Sequence, residues 1–102
     1  MQSQFIVYIM SNTTHTIYVG ATNDLPSRVR EHREGTYRSS FTARYTFDRC
    51  VFYEHCGTQA TAIKREQQIK RWSRAKKISL IESSNPWWND LSPRFRLEAI
   101  LR

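Results

Sequence analysis

Near the start of the chain, Gln4 to Met10 (QFIVYIM) is an almost unbroken apolar run, rich in β-branched and aromatic side chains. Such a run predicts a strand buried on both faces. Polar, turn-forming residues follow from Ser11 to His15, then a second β-prone run from Thr16 to Ala21 (TIYVGA). Their close spacing predicts an antiparallel hairpin. Gly20, inside or just after the second run, marks a place where another group approaches the backbone closely. Asn23 is suited to cap a helix beginning at Asp24, with Pro26 in its tolerant first turn and Gly35 placed to end it.

From Thr36 to Asp48 (TYRSSFTARYTFD) neither period holds, which predicts a long loop. Loops of that length in compact domains usually serve a function. Arg49 to Glu54 (RCVFYE) alternates weakly and reads as a third strand. Thr58 caps a second helix, roughly Gln59 to Trp72, and a third runs from Ala75 to Glu82 until Asn85-Pro86 stops it. Beyond Trp87 and Trp88, Ser92-Pro93 starts a short terminal helix with Phe95, Leu97, Ile100 and Leu101 as packing positions. The order β-β-α-β-α-α, plus that terminal helix, predicts an α+β fold: a small three-stranded, mostly antiparallel sheet flanked by helices. At 102 residues, without repeats or a dividing linker, the chain reads as one domain, with residues 92–102 as a helical extension.

Charge changes this picture more than overall composition does. Sixteen Lys and Arg against nine Asp and Glu give a net charge of +7, which predicts attraction to a polyanion. Twelve of those cations are Arg, whose planar fork matches phosphate oxygens. A basic surface without a specific partner is the plainer alternative. No stretch approaches the roughly 18 apolar residues of a membrane span, and no basic segment precedes an apolar one at the N-terminus. No membrane association is expected, and the expected location is the cytoplasm. Cys50 and Cys56 fit neither a zinc knuckle nor a C-x-x-C redox pair and are expected to be reduced thiols.

Two helices carry unusual polar residues. On the first, Leu25, Val29 and His32 share a face, and Arg28 stands one turn before His32. A guanidinium beside an inward stripe must meet a partner, a cavity or an anion, unless both residues lie solvated at the rim. On the second, Glu66 falls among Ala62, Ile63 and Ile69. It is either one half of an ion pair, with a neighbouring cation or with Arg28, or a carboxylate kept to hold a divalent cation. Seven cations surround it from Lys64 to Lys77: Lys64, Arg65, Lys70, Arg71, Arg74, Lys76 and Lys77. With Arg38 and Arg44 of the loop they are the candidate nucleic-acid contacts, since Arg interleaved with aromatics such as Trp72, Tyr37 and Tyr45 suits a single-stranded nucleic-acid groove. Trp72, Trp87 and Trp88 are expected to pack rather than stack on bases.

The order of these features resembles the GIY-YIG nuclease superfamily. The carriers are Ile6-Val7-Tyr8, then Tyr18-Val19-Gly20, then Asn23 to His32 (NDLPSRVREH). Further matches to its small stand-alone bacterial members are Phe41-Thr42 with Tyr45, Ala62 with Arg65-Glu66, Lys70 with Trp72, and Asn85-Pro86 with Trp88 and Asp90-Leu91. The likeness covers roughly residues 5–91. The first motif departs from the superfamily's name, having Ile6 where Gly is usual, while Tyr8 is retained. The resemblance implies phosphodiester hydrolysis of DNA, as endonuclease or exonuclease, with one divalent metal, Mg²⁺ or Mn²⁺, held by Glu66. It implies Tyr8 as general base, Tyr18 as its hydrogen-bonding neighbour, Arg28 on the scissile phosphate and His32 assisting proton movement. Work in repair, recombination or DNA uptake, with a repair-complex protein partner, fits the same resemblance. The alternatives are a non-catalytic nucleic-acid-binding module and a protein-interaction scaffold.

Overall fold

The computed structural model describes residues 4–36 and 46–95. Its elements are β1 (Phe5–Ser11), β2 (Tyr18–Thr22), α1 (Leu25–Glu34), β3 (Arg49–Gly57), α2 (Gln59–Lys70) and α3 (Arg74–Ser84). The strands form one sheet in the order β2-β1-β3, and both pairings are antiparallel. The fold is α+β, and the expected hairpin is present with Tyr8 opposite Gly20 and Met10 opposite Tyr18.

β1 is the central strand, and its alternating side chains serve two cores. Val7 and Ile9 join Val19, Val51, Ala62, Ile69, Ile81 and Trp88 under α2 and α3. Tyr8 and Met10 join Leu25, Val29, Phe47, Cys50 and Phe95 on the α1 side. That division explains why the run is apolar at every position. Burial of each large aliphatic side chain contributes about 1.5–3 kcal/mol, so β1 anchors both layers.

Several boundaries differ from the sequence expectation, for local reasons. The cap of α1 is Asp24 rather than Asn23: its carboxylate accepts the Ser27 N–H at 3.3 Å. Gly35 ends the helix in the left-handed conformation (φ 73°), which costs glycine nothing. β2 starts and ends later than expected, and β3 runs three residues further, to Gly57, because it follows β1 to Phe5 through two register shifts. α2 stops at Lys70, short of Trp72, and a Ser73 cap then starts α3. Trp88 is buried as expected, but Trp87 is 82% exposed and does not belong to the core. The loop expected from Thr36 to Asp48 lies mostly outside the described residues, as do Leu97, Ile100 and Leu101. Phe47, at its described end, is buried against α1 and β1.

The segment after α3 is tied down by polar contacts. Asn85 donates to the carbonyls of Val51 (3.0 Å) and Asn89 (2.9 Å), and the Leu91 N–H donates to Cys50 (2.8 Å). Trp88 (φ 55°) stacks flat on His15 (φ 58°), with ring centroids 4.0 Å apart. The two left-handed residues thus brace the β1–β2 turn against this segment.

Candidate active site

Chain alternation turns Tyr8 toward α1, and pairing places Gly20 directly beside it. A β-carbon built on Gly20 would lie 2.5 Å from the Tyr8 hydroxyl oxygen and 2.6 Å from Cζ, so only glycine admits this ring. The close approach expected at Gly20 is therefore the approach of Tyr8. His32 reaches the same spot from the buried face of α1: its Nε2 lies 3.0 Å from the Tyr8 hydroxyl, and either group can donate. Tyr18, on the same face two residues before Gly20, completes the cluster. Its ring centroid is 5.1 Å from His32, 6.3 Å from Tyr8 and 5.9 Å from Phe47. Tyr8 has no exposed surface, whereas Tyr18 is half-buried.

Burial, reinforced by the Arg28 guanidinium one turn away, lowers the His32 pKa to about 4. His32 is therefore neutral at pH 7, with one ring nitrogen able to donate and the other to accept. The depressed value also makes a stability prediction. Between pH 6.5 and about 4 the unfolded chain binds a proton at this position and the folded chain does not, so stability is complete above about 6.5 and falls as pH drops toward 4. A shift of this size corresponds to on the order of 3 kcal/mol. Urea titrations of the wild type and of His32→Gln at pH 7 and pH 4.5 check this: the wild type should lose more stability across that interval than the variant.

Arg28 is half-buried and, among the described residues, pairs with Glu31 at 3.5 Å. Glu66 comes from α2, which lies across β2, β1 and β3 on the opposite side of the sheet from α1. Its side chain is 20% exposed, and its partner among the described residues is Lys70, at 3.0 Å one turn on. The structure thus brings Tyr8, Tyr18, Gly20 and His32 into one cluster with Arg28 beside it. It presents Glu66 from a separate element.

The candidate nucleic-acid contacts divide in the same way. Arg65 is held by the Glu54 carboxylate (2.9 and 3.3 Å) and donates to Gln68 (2.7 Å). Lys70 is held by Glu66, and Arg74 donates to the His15 carbonyl at 2.8 Å. Lys64, Arg71 and Lys76 are exposed, and Lys77 is half-buried. Trp72 is half-buried beneath two cations, with Lys76 4.3 Å and Arg65 5.3 Å from its ring centroid. Arg38 and Arg44 lie outside the described residues.

Sequence reasoning did not assign roles to Arg33, Asp90 and Ser92, which form a junction behind the cluster. Arg33, adjacent to His32, donates to the Asp90 carboxylate, to Ser92 Oγ (3.0 Å) and to the Asp48 carbonyl (2.9 Å). Asp90 also accepts from the Cys50 N–H (3.1 Å) and from the Ser92 N–H (3.1 Å) and hydroxyl (2.7 Å). These hydrogen bonds, with the Arg33 charge, outweigh burial and hold the Asp90 carboxyl below its usual range. The junction fixes the C-terminal half of α1, and so the height of His32, against the start of β3. Asp90 in the matched motif was the sequence signal for it.

A single carboxylate suits a hard cation that keeps most of its water and takes further ligands from phosphate, as Mg²⁺ does. Among the described residues no three His, Cys, Asp or Glu side chains converge, so Glu66 would act as such a lone protein ligand. The donor chemistry is compatible with the metal once Lys70 yields.

The hairpin carries paired tyrosines, the next helix Arg and His, and a later helix Glu, all on a three-stranded sheet, which is the order of features matched to the GIY-YIG class. Residues 4–79 match the GIY-YIG catalytic domain, and the chain belongs to that family, a family of nucleases that generally use a divalent metal and act on DNA. It is similar to small proteins named UPF0213. One from Syntrophus aciditrophicus is 34% identical over 82 residues, covering 80% of this chain and 94% of that one. Another, from Staphylococcus aureus strain Mu3, is 36% identical over 86 residues, covering 80% and 98%. The solution NMR structure of UPF0213 protein BH0048 from Bacillus halodurans has the same fold, with a TM-score of 0.53 and 26% identity over 83% of this chain and 89% of that one. Among the described residues no helix is long and apolar enough to cross a membrane.

Proposed function

We propose that the chain hydrolyses DNA phosphodiester bonds with one divalent cation, Mg²⁺ or Mn²⁺, held by Glu66. The observation that carries this reading is the sealed hydrogen bond between Tyr8 and a neutral His32, with a guanidinium beside it and a second phenol at its edge. The cation, when bound, polarises the phosphoryl oxygen and stabilises the leaving oxygen. Arg28 supplies fixed positive charge where the phosphate gains negative charge.

Exposure divides the tyrosines' work. Tyr8 has no surface with which to meet a water molecule, so in this reading it positions His32. Tyr18 has surface and is the phenol able to orient and deprotonate the attacking water. A free phenol, with a pKa near 10, is a weak base at pH 7, so this role needs positive charge at the site when substrate and cation are bound. Tyr18→Phe should therefore lower kcat at least about a hundredfold, within the range for general acid–base groups. Tyr8→Phe should cost less and shift the pH profile, because it alters the hydrogen bond to His32. Equal losses with unchanged pH profiles would remove this division.

The ion pair between Glu66 and Lys70 favours a second reading, a nucleic-acid-binding module in which the carboxylate is structural. Labelled single-stranded, duplex and branched DNA, incubated with Mg²⁺ or Mn²⁺ and with wild type or Glu66→Ala, separates the two. Cleavage by wild type alone supports the nuclease. Binding without product under either cation supports the module. Action in repair, recombination or DNA uptake follows from the first reading.

A further inference from the structure

α2 has two differently equipped sides. Ala62 and Ile69 are fully buried and Glu66 is mostly covered, so these residues mark the side turned to the sheet. Lys64 and Arg71 lie about 150° round the helix from Glu66, at about 100° per residue, and both are exposed. They line a shallow groove of about 680 Å³ with Gln67, Gln68 and Trp72. Lys76 rests on the Trp72 ring at 4.3 Å, which holds a third cation near the groove's end.

Among the described residues the charge of this groove is not balanced by acids. The neighbouring carboxylate Glu54 is occupied by Arg65, and among the described residues no acid pairs with Lys64, Arg71 or Lys76. Lys64 and Arg71 are seven residues apart, about 10.5 Å along the helix axis, which matches about three 3.4 Å rises along a duplex axis. The two glutamine amides between and beside them add neutral hydrogen-bonding groups. Such a surface suits the regularly spaced phosphates of duplex DNA.

Building on the nuclease reading, we infer that this outer groove of α2 binds a duplex flank distinct from the segment presented to Glu66. A straight duplex is a stiff rod and does not reach both the sheet-facing and the outward side of one helix. DNA that engages both must bend round α2, and bending a continuous duplex costs energy that a flexible joint removes. The preferred ligand is therefore duplex DNA carrying a short single-stranded gap.

Fluorescence anisotropy in Ca²⁺, a hard cation that a carboxylate can hold, tests this with the DNA checked to be uncut, using a continuous duplex, the same duplex with a two-nucleotide gap, and a single strand. Wild type should bind the gapped duplex about tenfold more tightly than the continuous one, in keeping with the cost of bending. The double variant Lys64→Glu/Arg71→Glu should bind both equally, and its log–log salt slope on the gapped duplex should be shallower by about 1.8, the value for two phosphates no longer neutralised. Lys64→Gln/Arg71→Gln should show the same change in slope, and both variants should keep the wild-type Tm because the side chains are exposed. Equal wild-type affinity for the two duplexes, an unchanged slope, a variant effect confined to the single strand, or equally tight binding of poly-glutamate would each overturn the inference. Failure of DNA cleavage with metal present bears on the nuclease reading and leaves these binding outcomes intact.

Discussion

Glu66→Ala should remove metal-dependent cleavage, a loss of about a thousandfold or more in kcat, while leaving the fold in place. In the proposed reading, the size follows from removing the carboxylate that holds the cation on which charge stabilisation depends, a class of loss worth about 10²–10³ or more. The fold should survive because the substitution breaks only an i,i+4 ion pair with a half-exposed lysine, worth about 0.3–0.5 kcal/mol. Arg28→Ala should behave similarly in activity, since it removes the fixed positive charge offered to the phosphate in the proposed reading. Two measurements separate chemistry from folding. Urea unfolding should give a near-wild-type midpoint for Glu66→Ala. Addition of Mg²⁺ or Mn²⁺ should raise the Tm of wild type and of Arg28→Ala but not of Glu66→Ala, because a ligand stabilises only the state that binds it. Cleavage by Glu66→Ala under either cation would sink the metal assignment.

Gly20→Ala should be the most damaging single methyl group in the protein. Gly20 does not have the positive φ seen at Gly35 and Gly57, so an alanine meets no backbone obstacle there. The obstacle is the Tyr8 ring, whose Oη, Cζ and Cε1 would lie 2.5, 2.6 and 2.9 Å from the new carbon. Tyr8 is sealed in the core and cannot swing clear. Overpacking of this kind costs about 1–3 kcal/mol, and the hydrogen bond to His32 adds its own share, so a loss of about 3 kcal/mol and a Tm lower by about 15 °C are expected. The two positions should be strongly non-additive: in a Tyr8→Ala background, where the ring is gone, Gly20→Ala should cost little further stability. Gly20→Ala with wild-type stability would show that β1 and β2 separate easily at this pair.

The two kinds of information in the sequence were unequally legible. β1, β2 and the buried face of α1 could be read because each is decided by its own periodicity. The crowding at Gly20 was readable because a glycine amid β-branched residues has few other reasons to be there. What escaped was set by partners distant in sequence. Asp24 and Asn23 are both good caps, and only the backbone at the end of β2 selects between them. β3 extends through His55 and Cys56 because β1 offers a pairing edge that far, although these residues alone do not suggest a strand. Arg65 resembles its basic neighbours in sequence, yet Glu54, eleven residues back, holds it. Trp87 and Trp88 are adjacent and alike in chemistry, and the left-handed backbone at Trp88 accompanies one buried and one exposed ring.

For the candidate site, the order of motifs singled out residues to consider, and the structure added their exposure. Tyr8 and Tyr18 are equivalent by pattern, yet one is sealed and the other reaches the surface. The neutral state of His32 was not legible at all, because it depends on how completely α1 docks on β1.

The central position of β1 has a consequence for how the chain reaches this structure. The β1–β2 hairpin has a short connection and can close in about 1–10 μs, and α1 follows directly in sequence. The second partner of β1 lies beyond α1 and the long connection after it, so its pairing is non-local and slower. Until β3 arrives, β1 presents an open hydrogen-bonding edge flanked by apolar side chains on both faces. That interval is when two chains can pair edge to edge. Refolding yield should therefore be governed by protein concentration during the docking of β3, and the same doubly apolar strand that anchors both cores sets the molecule's aggregation hazard.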